Sequence, residues 1–298
     1  MSQAPAVWAA LATVYVIWGS TYLGIAVAGE TIPAFVAVAG RFLVAGAVLA
    51  VLLTLRKGLA ALRVDRRQAA ALVLVGLLLP GSNALLFLGE QTVPTSLAAL
   101  IFCTVPLVVT GLRIATGERP PPVVLLGIAT GFLGVAVLLH PEGGATWGGL
   151  ALVVAAAIGW AVGSFLVPIL PMPAEPMAAT AWQALAGGVV MLPFAFAQGF
   201  DADAVTGRSW LGFAYLVVFG SLLGFTAYSW LLGHAPIGLV ATYAFVNPVV
   251  AIALGMVLLD EQLSARTAVG AVVTLVSVAV VVRREAADAA PAGVEPRP

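Results

Sequence analysis

The stretch ATYAFVNPVVAIALG, residues 241–255, is apolar enough to cross a membrane, yet it carries Asn247 and Pro248 near its centre. A proline removes a backbone donor and clashes with the preceding turn, and an amide in hydrocarbon is costly unless it finds partners. What the pair means depends on whether it belongs to a soluble domain or to a membrane bundle, and composition decides between them. Hydrophobic residues make up 62% of the 298-residue chain and charged residues 9%, with a mean hydropathy of +1.10. An average soluble domain has about 45–50% apolar and about 25% charged residues. This chain cannot supply a water-facing surface, so it reads as an all-α integral membrane protein rather than as soluble domains.

Net charge is zero, with 13 basic and 13 acidic residues, which leaves no long charged surface for nucleic acid. The single Cys103 lies in an apolar run, so there is no disulfide framework. The N-terminal MSQAPAVWAALATVYVIWGSTYLG lacks a basic leader, and its apolar run reaches spanning length, so it reads as a retained first helix rather than a cleaved signal.

A helix needs about 20 apolar residues to cross a bilayer core. Ten such runs lie near 7–27, 33–54, 69–89, 95–115, 122–140, 147–168, 176–197, 210–232, 237–259 and 265–282, separated by charges and turn formers such as TGERPPP, HPEGGAT and DEQLSA. Lys and Arg are retained on the cytoplasmic side of short connections. With both termini inside, Arg56, Lys57, Arg63, Arg66, Arg67, Arg113, Arg119, Arg283, Arg284 and Arg297 all fall there. The other side has only Arg208 and Arg266, which orients the chain N-in and C-in.

Sliding the chain on itself by 142 residues brings Trp18 onto Trp160, Gly46 onto Gly188, Pro94 onto Pro236, Ala99 onto Ala241 and Pro106 onto Pro248. One inserted residue later, Glu118 meets Glu261 and Gly127 meets Gly270. The halves therefore read as two five-helix repeats, 1–143 and 144–284, followed by a disordered cytoplasmic tail at 285–298. An odd number of crossings per half inverts the second copy. Inverted repeats mark secondary transporters, whose sites lie near the midplane between the halves and use Pro- or Gly-interrupted helices.

Three blocks carry a resemblance: YVIWGSTYLGIAVAGETIPAFVAVAGRFLVAGAVL at 15–49, NALLFLGEQTVPTSLAALIFCTVPLVVTGL at 83–112, and ATYAFVNPVVAIALGMVLLDEQLSARTAVGAVVTLVSVAVVV at 241–282. Together, and with the WGSTY and YxxVNP motifs among them, they resemble the EamA branch of the drug/metabolite transporter superfamily, including its YedA-like exporters. The resemblance spans about 7–283. It implies ten helices in two inverted halves, a place in the plasma (inner) membrane, and export of small metabolites by alternating access. It also implies a central cavity formed by the first, third, fourth, sixth, eighth and ninth helices.

Those helices carry aromatic and small polar residues near mid-depth, the substrate-cavity candidates: Trp18, Tyr22, Asn83, Phe87, Phe102, Thr104, Trp160, Ser164, Tyr228, Tyr243 and Asn247. An aromatic wall with a few directed polar groups suits a small amphipathic solute. Tyr243 and Asn247, four apart, share a helix face, while Phe245 points the other way. Pro106 and Pro248 are the hinge candidates, bending the fourth and ninth helices. Ser82, Asn83 and Phe87 stand where amino-acid exporters of the family are associated with Tyr or His, which argues against an aromatic amino acid as cargo.

Two charges need explaining, since ionisable groups within a membrane are functional hypotheses by default. Arg41 lies eight residues into the second span, roughly 12 Å deep at 1.5 Å per residue. It needs Glu90, helix-end carbonyls or a substrate carboxylate as partner, and the expectation is that it ties its helix to its neighbours. Glu90 closes the third helix at the rim of the outer vestibule, whereas Glu30, Asp260, Glu261, His140 and His234 read as wetted boundary residues.

The reading is a secondary transporter exporting small metabolites, amino acids or related amphipathic solutes, drugs among them. It is expected to be monomeric in the lipid bilayer, with a small-molecule substrate, no cofactor, no metal and no nucleic-acid partner. The alternatives are a proton-coupled multidrug exporter, which in its small-multidrug form places a mid-membrane Glu in the first helix where this chain has VYVIWGSTY, and a membrane-embedded enzyme. An enzyme needs a nucleophile with its base, or a metal cluster, facing a cavity, and the sequence has no HExxH, Cys cluster or intramembrane Asp pair.

Overall fold

The computed structural model describes residues 4–139, 144–235, 240 and 242–289, and it is helical throughout. The chain runs through α1 (Ala4–Ala28), α2 (Ala34–Lys57), a 3-10 turn (Leu59–Leu62), α3 (Arg66–Gly89), α4 (Thr95–Phe102), α5 (Val105–Ala115) and α6 (Pro122–Leu138). The second half follows as α7 (Trp147–Leu166), α8 (Pro176–Gln198), α9 (Gly207–Tyr215), a π-helical stretch (Leu216–Leu223), α10 (Gly224–His234), α11 (Tyr243–Leu258) and α12 (Ala265–Ala289).

The punctuation anticipated from turn formers sets these ends. Asp65 caps α3 in a reciprocal box, its Oδ1 accepting from Gln68 N at 2.8 Å while Asp65 N donates to Gln68 Oε1 at 3.0 Å. Thr146 and Thr206 cap α7 and α9 through backbone donors of Gly149 and Ser209. Gly58 and Gly199, at φ 78° and 73°, let the chain leave α2 and α8.

Among the described residues, eight helical segments are long and apolar enough to cross a membrane. Two more, α6 with 17 residues and α11 with 16, are apolar but shorter, about 24–26 Å at 1.5 Å per residue against a core of about 30 Å. Apolar side chains face outward: Phe196 is 80% exposed, Leu55 79% and Val257 75%. Water would disfavour such a surface, whereas lipid tails accept it.

Inside, helices meet through small residues. At the α3–α8 crossing a Cβ on Gly76 would stand 2.7 Å from the Gly187 nitrogen, so the backbones touch. The Gly-rich α6 packs along α12 in the same way, with a Cβ on Gly134 falling 2.4 Å from Thr274 Oγ1. That agrees with a packing role for this segment.

Three expectations change. The run 95–115 is not one helix: α4 ends at Phe102, and Cys103 and Thr104 form a turn before α5. Pro106 fits the break: it has no N–H to continue the ladder of a helix running on from α4, and in the first turn of α5 that missing donor costs nothing. Pro248, its repeat mate, lies inside α11, so the two prolines occupy different settings. Finally, α12 continues through Ala289, making residues 285–289 of the anticipated tail helical; its EAADA sequence is rich in the best helix former, alanine. Residues 290–298 lie outside the described residues, as do Pro236, Ala241 and His140.

Candidate functional site

A cavity enclosing about 820 Å³ of empty space, its opening included, lies where helices of both halves converge. Trp18, Thr21, Tyr22 and Ile25 of α1 line it, with Asn83 and Leu86 of α3, Ala99 and Phe102 of α4, and Val105 and Pro106 of α5. The second half contributes Trp160, Gly220, Phe225, Tyr243, Ala244, Asn247 and Pro248. Repeat mates line it together, Trp18 with Trp160 and Pro106 with Pro248. The second run was not among the expected cavity helices, yet α2 adds Arg41 and Phe42.

The aromatic wall has two parts. Trp18 packs against Tyr228, Tyr243 and Phe225 with ring centroids at 5.0, 5.1 and 5.6 Å. Phe102 bridges Tyr22 at 6.4 Å and Trp160 at 6.0 Å. Tyr228 stands behind this wall rather than on it. Phe87 is buried in the main core, and Ser164 is half-buried off the lining. The Thr104 hydroxyl bonds back to the Ile101 carbonyl at 2.6 Å, because the helix break turns it onto its own backbone. Phe245 packs away from the cavity with α6 and α12, as its position opposite Tyr243 and Asn247 requires.

Arg41 is 6% exposed. Its Nε donates to Ser221 Oγ at 2.9 Å, and Ser221 belongs to the π-helical stretch. This partner was not anticipated. It ties α2 to the second half, as an anchoring role requires; Arg41 also borders the cavity, its guanidinium carbon 5.3 Å from the centre of the Phe42 ring, and among the described residues no carboxylate pairs with it. Gly220 makes room for it: a Cβ there would stand 3.0 Å from Arg41 Nη2.

Asn247 borders the cavity with its Oδ1 buried and lacking a hydrogen-bond partner. Asn83, across from it in the chain's first half, uses its Nδ2 on the Leu79 carbonyl at 3.1 Å. The cavity is thus bordered by the Arg41 cation and an unpartnered amide oxygen of Asn247 within an aromatic enclosure.

Both ends of the bundle carry bonds between the halves: at one, Lys57 pairs with Glu175 and the Trp182 indole donates to the Leu62 carbonyl at 2.9 Å, and the other carries Glu30, Glu90 and Glu261. There the halves are joined by Thr206 N to Thr31 Oγ1 at 3.1 Å, Ser209 Oγ to the Val27 carbonyl at 3.0 Å, Arg208 to Glu30 at 3.0 Å, and the Thr92 and Thr146 hydroxyls at 2.9 Å. Glu261 is no wetted boundary residue. Its Oε1 accepts from Thr95 N at 2.6 Å and Thr95 Oγ1 at 2.8 Å, and its Oε2 from Ser96 N at 3.0 Å, so it caps α4 from the other half. Glu90 just follows α3, and both its carboxyl oxygens are buried without a partner. Burial pushes its pKa well above the usual carboxylate range, and the nearby Glu261 adds to the rise. His234, in contrast, is exposed, stacked on Trp230 at 4.2 Å.

Residues 5–140 and again 147–283 match the EamA-like transporter family. The chain belongs to that family. The inner membrane transporter YedA of Escherichia coli K12, itself uncharacterised, is 35% identical over 260 residues, which cover 86% of this chain and 83% of that protein. The protein PecM of Dickeya dadantii is 29% identical over 193 residues, 63% of this chain and 65% of its own length. A solved crystal structure superposes with a TM-score of 0.65 at 21% identity, covering 93% of this chain and 97% of the other, and so shares the fold. This EamA-like transporter is therefore a multi-pass membrane protein, and the two matched segments meet at the cavity.

Proposed function

We propose that this EamA-like transporter is a secondary exporter of small amphipathic metabolites bearing a carboxylate, amino acids or compounds like them, working by alternating access. The carrying observation is that Arg41 lines a cavity walled by aromatic rings, and that its guanidinium, bonded to Ser221, has no carboxylate partner among the described residues. A buried cation without a counter-ion is costly, and an anionic solute would supply the missing charge through charge-assisted hydrogen bonds. Asn247 Oδ1 is placed to accept from an ammonium or amide of the same solute, while Trp18, Phe102 and Trp160 hold its apolar part.

In this reading the ten helical passages cross the inner membrane in two inverted halves with both termini cytoplasmic, as the basic connections indicate. The protein works as a monomer and does no chemistry on its cargo. Rocking of the halves about Pro106 and Pro248 exposes the cavity to each side in turn. The test is flux in proteoliposomes against a panel of amino acids, their amides and decarboxylated analogues, with and without an imposed pH gradient. Carboxylate-bearing solutes should be moved and their amides should not. Equal flux of both, or flux confined to lipophilic cations, would favour the multidrug alternative and sink this one.

A further inference from the structure

Glu90 is unexplained by solute binding. It does not line the cavity, and both its oxygens lie buried without a donor. Isolated buried carboxylates are costly unless they are neutral or paired. The groups that face it from each packed element narrow the choice. From α1 comes the Tyr22 ring, an uncharged neighbour that also lines the cavity. From the connection before α12 comes Glu261, whose carboxyl oxygens accept three hydrogen bonds at the start of α4. On α2 the ionisable groups are Arg41, committed to Ser221, and Arg56 and Lys57 in the last turn at the opposite end, while α4, α7 and α8 carry no Asp, Glu, His, Lys, Arg or Tyr. Glu30 is occupied by Arg208. Among the described residues no cation pairs with Glu90, and the neighbouring Glu261 repels a second negative charge.

We propose that Glu90, backed by Glu261, is a proton-binding site that locks this end of the transporter shut. The end closes with Glu90 protonated and opens with it ionised, the proton going to water on that side. This rests on the reading of the protein as an alternating-access transporter. Closing seats the Thr95 and Ser96 amides on Glu261, whose carboxylate the helix N-terminus favours. The same motion buries Glu90 beside it, and two carboxyl groups so placed cannot both ionise cheaply. Opening would lift α4 off Glu261 and hydrate Glu90, returning it to an ordinary carboxylate. Because the closed state binds this proton more tightly than the open state, acid on that side favours closure through the window between the two pKa values. Each unit of difference is worth about tenfold in the closed-to-open ratio.

The test uses the full chain in liposomes and two solute-free readouts. Infrared titration should show a protonated carboxyl at about pH 7 that Glu90→Gln removes and whose proton affinity Glu261→Gln lowers by about tenfold or more. Spin labels at Gln91→Cys and Asp203→Cys, exposed sites on opposite halves at this end, should report a short separation at acid pH and a longer population as pH rises. Glu90→Gln should hold the short separation at every pH. An ionised Glu90 at neutral pH, an affinity unmoved by Glu261→Gln, or a pH-dependent separation that persists in Glu90→Gln would each overturn the proposal. Neither readout needs a solute, so absence of flux for the whole panel would tell against the transport reading separately.

Discussion

Arg41 separates a recognition site from a structural tie, and the double variant Arg41→Met with Ser221→Ala does so most cleanly. The Nε to Ser221 bond at 2.9 Å joins two buried groups. A hydrogen bond to a charged group contributes about 1.5–3 kcal/mol, and orphaning Ser221 alone would cost about 1–3 kcal/mol. Against this stands the desolvation of a guanidinium that no carboxylate balances, several kcal/mol in a dry interior and less here because the cavity admits water. Replacing both partners by apolar groups is usually neutral or stabilising, so the double variant should match or exceed the wild type in thermal unfolding in detergent.

Function should move the other way. Losing one or two charge-assisted bonds to a solute carboxylate, about 1.5–3 kcal/mol, corresponds to a rise of roughly 10- to 150-fold in half-saturation concentration. The matching amide, if moved at all, should be unaffected. The assay is concentration-dependent uptake into proteoliposomes beside a fluorescence melt. A large fall in melting temperature, with acid and amide impaired alike, would make Arg41 an anchor between α2 and the π-helical stretch and refute the recognition argument.

Three further outcomes follow from the packing. Gly76→Val should destabilise the protein by about 1–3 kcal/mol by overpacking, since a Cβ there falls 2.7 Å from the Gly187 backbone; thermal melts in detergent would read it, and no change would mean α3 and α8 are not held in contact. Tyr243→Ala should weaken solute binding while Tyr228→Phe leaves it unchanged, because Tyr243 lines the cavity and Tyr228 lies behind it; flux assays decide, and equal effects would misplace the wall. The hydrogen bond from Lys57 lowers the Glu175 pKa, so this link between the halves is intact at neutral pH and lost as pH falls through the lowered value. On a largely exposed pair it is worth at most about 1 kcal/mol, so Glu175→Gln should remove only that small acid-side slope in a melt-versus-pH series.

What was legible in the sequence is what repeats or has a period. The offset of 142 residues aligned Trp18 with Trp160 and Pro106 with Pro248, and all four line the cavity. Helical spacing placed Tyr243 and Asn247 on one face and Phe245 on another, as found. What was not legible depends on contacts between distant segments or on local backbone register. Ser221 is 180 residues from Arg41, and a π turn has no composition of its own, so neither the partner nor the widened turn could be read. Thr104 looked like a cavity hydroxyl until the break at Cys103 turned it onto Ile101. Glu261 sat in a turn-forming connection and looked solvated, because its donors, Thr95 and Ser96, come from the other half.

Glu261 also shows how two similar halves can do different work. Its repeat mate Glu118 is exposed and paired with Arg113 at 2.8 Å, where Glu261 is engaged with the start of α4. The prolines diverge likewise, Pro106 opening a helix and Pro248 lying within one. If the halves were rigid copies, equivalent residues would have equivalent surroundings. Under alternating access they should not, because a conformer shut at one end must hold one half's contacts made and the other's released. Glu261 bonded across to α4 and Glu118 paired within its own half are the kind of difference that the proposed closure at the Glu90 end entails. Reversal of that asymmetry, with Glu118 engaged and Glu261 freed, is then what the opposite state requires.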